Sequence, residues 1–158
     1  MNVLSVVIPA YNEENGLAQI IERVLPIGPN LKRAGVDDLE LIVVDDGSRD
    51  RTAEVASRYS QVRLIRHTVN QGYGAALKTG FGKARGNLLG FLDADGTYPP
   101  ENFPDLCQVA LDEEADLVIG SRMSGTESEM PVVRRVGNFV FANLVSLLGN
   151  DRVSDSAS

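Results

Sequence analysis

Leu88-Leu89-Gly90-Phe91-Leu92-Asp93-Ala94-Asp95-Gly96-Thr97-Tyr98-Pro99-Pro100 decides how the rest of the chain reads. A short apolar run stops on two carboxylates one residue apart, and glycine and two prolines follow. Such a run, with no polar alternation, suits a strand covered on both faces in a parallel sheet. Asp93 and Asp95 then fall just past its C-terminal end, the edge of an open α/β sheet where ligands bind. Two carboxylates with no Lys or Arg beside them repel each other, and a hard divalent cation with oxygen ligands relieves that repulsion. The competing reading is a plain turn, because Asp and Gly favour turns for local reasons of their own. The neighbouring segments decide between them.

At 158 residues the chain is long enough to bury roughly 70% of its unfolded surface as one domain, with no need of disulfides. Its 43% hydrophobic and 23% charged residues are ordinary for a globular protein. The net charge of -7 speaks against a nucleic-acid partner, whose phosphates require clustered Lys and Arg. The single cysteine, Cys107, sits in an apolar helical pattern and reads as core filler in a reducing compartment. Met1 leads straight into a strand, without the basic flank and apolar stretch of a secretion signal, and no apolar run reaches the length of a membrane span.

Taken in order, the chain alternates strand and helix. Val3 to Pro9 is an apolar, β-branched strand that Pro9 ends. Asn12 is placed to cap a helix carrying Leu17, Ile20, Ile21, Val24 and Leu25 as far as Pro26, and Gly28, Pro29 and Gly35 read as a loop. Leu39 to Val44 is the second strand; Ser48 or Asp50 caps a helix to about Tyr59. Val62 to Ile65 is the third strand, and Asn70 to Gly74 turns into a helix over 75–84. The fourth strand carries the opening motif, and Pro99 and Pro100 start the next helix. Asp116 to Gly120 reads as a fifth strand, 121–131 as a polar loop and 132–148 as a last helix. Five such alternations predict an α/β, Rossmann-like, doubly wound and mostly parallel sheet flanked by helices.

Parallel strands bring Pro9-Ala10-Tyr11, Asp45-Asp46-Gly47 and Asp93-Ala94-Asp95 to one rim. An aromatic ring and an acid at the first two ends suit a nucleoside. The carboxylate pair at the third suits a cation bridging a diphosphate. His67 precedes a loop and reads as a surface or turn residue, and Phe139 to Leu148 reads as a buried or subunit-contact helix rather than one lying in a membrane interface.

Five segments in this order carry a resemblance: 5–13 (SVVIPAYNE), 43–48 (VVDDGS), 70–76 (NQGYGAA), Asp93-Ala94-Asp95 and Gly120-Ser121-Arg122. The chain resembles glycosyltransferase family 2, with the GT-A fold, and within it the polyprenyl- or dolichyl-phosphate hexose transferases. The resemblance implies that Pro9, Tyr11, Glu13, Val44, Asp46, Asp93, Ala94 and Asp95 hold a GDP- or UDP-hexose. It implies that Asp93 and Asp95 hold Mg²⁺ or Mn²⁺, with Thr97 where relatives carry an amide or imidazole, a better metal ligand than a hydroxyl. Arg122 is then placed to meet a phosphate. Arg134 and Arg135 read as ordinary surface charges or, lying beside the 121–131 loop, as the receivers of a lipid phosphate acceptor. The implied reaction is a single inverting displacement. A phosphate acceptor needs no base, whereas a hydroxyl acceptor does, and Asp155 is the candidate. Residues 1–158 then form one GT-A catalytic core, trimmed at its C-terminal end, in a cytoplasmic protein working at the cytoplasmic face of the membrane, alone or as a homo-oligomer.

Two other readings remain. Phe91 to Thr97 also matches the opening of haloacid-dehalogenase-type phosphatases, in which Asp93 would be the nucleophile, but no Lys follows Gly96 to complete such a site. The third reading is a nucleotide-binding module without catalysis.

Overall fold

The structure, a computed structural model, describes residues 1–120. Four strands form the sheet among these residues: β1 (Val3–Ala10), β2 (Asp38–Asp45), β3 (Val62–Arg66) and β4 (Leu88–Phe91). All pairs are parallel and the order is β3-β2-β1-β4. Helices α1 (Leu17–Val24), α2 (Gly28–Arg33), α3 (Thr52–Ser57), α4 (Tyr73–Lys83) and α5 (Phe103–Asp112) connect them, with 3-10 turns at Leu25–Ile27 and Pro100–Asn102. The chain divides into compact units at Val118 and Ile119, and nearly all described residues lie in the first.

Both faces of β1 and β2 are covered, which is why these strands are apolar without alternation. Leu4, Val6 and Ile8 point into the larger core with Leu17, Ile20, Ile21 and Val24 of α1 and with Phe103 and Cys107 of α5. Val7, Ile42 and Val44 point the other way, onto Ala76 of α4. That helix lies so close that a Cβ on Gly80 would stand 2.3 Å from Val7 Cγ1. Burial pushes the Cys107 thiol up to about 11, as suits a residue that only fills space. At the edge of this layer the Ser5 hydroxyl donates to Glu40 (2.6 Å), which also accepts from Arg85 N–H and Arg63. No helix among the described residues is long and apolar enough to cross a membrane.

Five expectations are corrected, the last at Pro9. The first helix starts at Leu17, because Asn12 adopts a left-handed backbone (φ 58°) and its side chain accepts from Arg49 N–H instead of capping. Gly28 and Pro29 open α2 rather than a loop, since proline in the first helical turn gives up an N–H that would be unpaired anyway. The β2–α3 connection is capped formally at Arg51, although Asp50 does take the Thr52 N–H (3.0 Å). The fifth strand is absent: 116–120 joins no ladder among the described residues, and Leu117 and Ile119 are 76% and 66% exposed. Apolar β-prone residues make a strand only where an edge takes up their N–H and C=O groups, and no described strand pairs with this segment. The expected loop at 121–131 and helix at 132–148 lie outside the described residues.

Pro9 does not end β1, which continues to Ala10 opposite Asp45. Val7 accepts the Leu92 N–H, so Pro9, two residues on, faces the same side, where β4 has already stopped. Its missing donor therefore leaves no ladder bond unmade. The strand order also reverses here, between β1 and β4, and such a switch point opens a crevice beyond the strand ends.

Candidate functional site

Tyr11 to Gly16 leaves β1, and this loop is locked onto the loop after β2. Asn12 N–H donates to Ser48 Oγ (3.0 Å), Glu13 N–H to Thr52 Oγ1 (2.8 Å) and Glu14 N–H to Asp50 Oδ2 (3.1 Å). In return Arg49 N–H donates to Asn12 Oδ1 (2.9 Å) and Arg51 N–H to Glu14 Oε2 (3.0 Å). Burial pushes the Asp50 carboxyl up, but the Thr52 hydroxyl and the N–H groups of Thr52 and Glu14 outweigh it and hold the group below the usual carboxylate range. Ser48 and Asp50, read from sequence as caps, thus hold Tyr11, 42% exposed, at the rim.

Asp45 and Asp46 are both buried. Asp45 accepts from Ser48 N–H (3.0 Å) and from Arg66 Nε (3.3 Å). Asp46 accepts Gln71 N–H at Oδ1 (2.9 Å) and Gly72 N–H at Oδ2 (2.8 Å), while His67 Nδ1 lies 2.6 Å from Oδ1. Burial, the largest single influence, raises its pKa; the two N–H groups and His67 together reverse that and hold the carboxyl below its ordinary value. The structure thus turns Asp46, read as a nucleoside ligand, onto the loop that precedes α4. His67 is not a surface residue: its side chain is 8% exposed, and Nε2 lies 3.0 Å from the Thr79 hydroxyl. With its proton on Nδ1 the ring donates to Asp46 and accepts from Thr79.

The loop after β4 is fixed from two sides. Asp95 Oδ1 accepts Thr97 N–H (2.9 Å), and the Gly96 carbonyl accepts Arg23 Nη1 (3.4 Å), while Arg23 also forms two bonds to Glu101. Gly16 packs against Ala94 so closely that a Cβ there would lie 3.0 Å from the Ala94 carbonyl oxygen. Asp93 Oδ1 accepts the Tyr73 hydroxyl (2.7 Å). Partial desolvation, then the bond to Asp93 and the nearby charge, hold the Tyr73 phenol above its ordinary range.

Among the described residues no Lys or Arg forms an ion pair with Asp93 or Asp95. No third His, Cys, Asp or Glu among the described residues joins them in a metal-binding group, and Thr97 gives Asp95 its backbone N–H. This donor set fits a hard cation that draws its remaining ligands from water and phosphate oxygens, and does not fit an all-protein cage.

Pro9, Tyr11, Glu13, Val44, Asp46, Asp93, Ala94, Asp95 and Thr97 all lie at the C-terminal edge of the sheet. Pro9 and Val44 pair across β1 and β2, Ala94 is buried, and Asp95 and Thr97 are exposed. Arg122, Arg134, Arg135 and Asp155 lie outside the described residues. Sequence reasoning missed the bridging roles of His67, Tyr73, Thr79 and Arg23. The strand-end rule that singled out Asp46 pointed equally at His67, the residue after β3.

The sequence profile described as "Glycosyl transferase family 2" matches residues 5–149. The chain is 36% identical over 138 residues to a dolichol-phosphate mannosyltransferase of Pyrococcus furiosus, covering 84% of this chain and 37% of that protein. It is 32% identical over 165 residues to a dolichyl-phosphate beta-glucosyltransferase of Trichomonas vaginalis, covering 97% and 50%. It thus spans half or less of these relatives' length. Among solved structures it is similar to glucosyl-3-phosphoglycerate synthase of Mycobacterium tuberculosis in complex with Mn²⁺, uridine diphosphate and phosphoglyceric acid, with 27% identity, TM-score 0.68, and coverage of 94% of this chain and 50% of that one. The parallel sheet flanked by helices is the GT-A arrangement, and the chain belongs to glycosyl transferase family 2.

Proposed function

We propose that the chain is the donor-binding part of an inverting, metal-dependent hexosyltransferase that moves a hexose from GDP- or UDP-hexose to a polyprenyl or dolichyl phosphate. One observation carries the reading: among the described residues Asp93 and Asp95 form no ion pair with a basic side chain, and they stand beside the crevice between β1 and β4, the switch point of the sheet. Relatives named for dolichyl-phosphate acceptors support the lipid phosphate, and a neighbour crystallised with Mn²⁺ and uridine diphosphate supports the cation and the nucleotide.

Asp93 and Asp95 would hold Mg²⁺ or Mn²⁺, which when bound offsets the charge that the departing nucleoside diphosphate gains. Tyr11 offers the nucleoside a ring face, and the interlock of Ser48, Asp50 and Thr52 fixes where that face stands. In the displacement an acceptor phosphate oxygen forms a bond to the anomeric carbon while the bond to the diphosphate oxygen breaks, its electron pair leaving with the nucleotide. A lipid monophosphate is largely ionised at neutral pH, its second pKa being roughly 6, so no side chain has to remove a proton. Arg122, Arg134 and Arg135 are the proposed phosphate contacts, and Asp155 the base if the acceptor is a hydroxyl. A lipid acceptor places the reaction at a membrane surface. The family match disfavours the phosphatase reading of Asp93.

Calorimetric titration of the chain with UDP, GDP and their hexoses, with and without Mn²⁺, tests the reading. Micromolar, Mn²⁺-dependent binding of one nucleotide, weakened by Asp95→Asn, is expected. Binding that ignores both Mn²⁺ and Asp95→Asn overturns the metal role.

A further inference from the structure

We infer that Tyr73 is a positioning residue for the Asp93 carboxylate, an inference that rests on the proposed metal-holding role of Asp93 and Asp95. The hydroxyl of Tyr73 reaches 2.7 Å from Asp93 Oδ1, joining the first residue of α4 to the end of β4. Tyr73 is itself fixed by a closed circuit of contacts. Asp46 takes the N–H groups of Gln71 and Gly72, the two residues before it. Gly72 makes the turn with φ 94°, a left-handed conformation that suits glycine. His67 lies 2.6 Å from Asp46 and 3.0 Å from Thr79, which belongs to α4, so the loop is tied back to the helix it introduces. Gly80 seats that helix directly on Val7 and Val44.

The chemistry of the contact gives it a direction. A carboxylate with one oxygen committed to a phenol hydroxyl keeps one orientation, whereas a free one samples several. Hydrogen-bond partners of ligating carboxylates act in this way, and their removal lowers metal affinity roughly 10–100-fold. The half-exposed ring of Tyr73 invites a rival role in stacking, and Tyr73→Phe separates the two because it keeps the ring and removes the hydroxyl.

Mn²⁺ is titrated into wild type, Tyr73→Phe and Asp95→Asn, free Mn²⁺ being counted by its paramagnetic resonance signal, with urea midpoints measured in parallel. Wild-type binding, its loss in Asp95→Asn, and affinity about tenfold weaker in Tyr73→Phe at an unchanged urea midpoint are expected. Tyr73→Phe that binds as wild type does overturns the positioning role and leaves the metal reading standing. Wild type that binds no Mn²⁺ overturns both.

Discussion

Replacing Gly80 by alanine sets two known effects against each other inside α4. Alanine in a helix interior is favoured over glycine by about 1 kcal/mol. At Gly80, however, the added Cβ would lie 2.3 Å from Val7 Cγ1, 2.9 Å from Val7 Cγ2 and 3.2 Å from Val44 Cγ2. Ordinary carbon contacts are about 3.5–4.0 Å, so the nearest falls short by more than about an ångström. Neither valine can yield: both are fully buried, and a β-branched side chain has little rotamer freedom. Val7 also stands in a strand paired on both sides. The helix must lift, and overpacking of this kind costs about 1–3 kcal/mol, leaving Gly80→Ala net destabilised by about 1 kcal/mol. Gly82, two residues on in the same helix, has open space where a Cβ would stand, with nothing within 4 Å, so Gly82→Ala keeps the propensity gain alone. Urea unfolding at neutral pH should therefore place the two variants on opposite sides of wild type, separated by about 2 kcal/mol. Gly80→Ala at or above wild-type stability would refute the close seating of α4 on β1, and with it the account of how Tyr73 is aimed.

The Glu40 carboxyl is pushed up by burial but held below its ordinary value by Ser5, Arg85 N–H and Arg63. Its contribution is therefore complete above the unfolded-chain pKa of roughly 4.3 and is lost as pH falls through the lower folded value, so Glu40→Gln should cost about 1–3 kcal/mol at pH 7 and progressively less as the pH is lowered below about 4, by urea midpoints along that range. Asp50→Ala strips partners from the N–H groups of Glu14 and Thr52 and should cost about 1–2 kcal/mol while speeding amide exchange at both residues; unchanged exchange would mean that the interlock is not what holds the β1 loop. Gly47 has φ 72° and an added Cβ would meet the Val69 backbone at 2.6 Å, so Gly47→Ala should lower the urea midpoint by an amount equivalent to about 2 kcal/mol or more, and a neutral result would contradict that backbone.

The four observed strands were legible because their signal is local: apolar, β-branched runs cut off by Gly, Pro or Asp. Their parallel order followed from the helices between them, and with it the meeting of Tyr11, Asp46, Asp93 and Asp95 at one edge. What escaped depends on partners distant in sequence. Asn12 has the chemistry of a cap, yet Ser48 and Arg49, 36 and 37 residues away, claim its backbone and side chain. His67 looks like a loop residue until Asp46, 21 positions earlier, is seen beneath it. The run at 116–120 carries strand propensity, but propensity cannot say whether an edge is there to receive it.

The same limit explains why two acid pairs that read alike at strand ends diverge in the fold. Asp45 and Asp46 end β2, an interior strand, where β3 and the loop before α4 can close over them and supply Arg66, His67 and backbone N–H groups. A carboxylate so enclosed has its oxygens taken up by partners from the protein itself. Asp93 and Asp95 follow β4, an edge strand among the described four, beside the place where Pro9 makes no ladder bond and the sheet parts. There Asp93 receives a phenol hydroxyl and Asp95 the Thr97 N–H, and neither donor carries a charge. Negative charge with no ion-pair partner among the described residues therefore collects at the crevice. Filling it with a lysine, as in Thr97→Lys, should stabilise the empty chain at low salt while weakening Mn²⁺ binding, and a variant that did neither would show that the charge at this edge is already compensated.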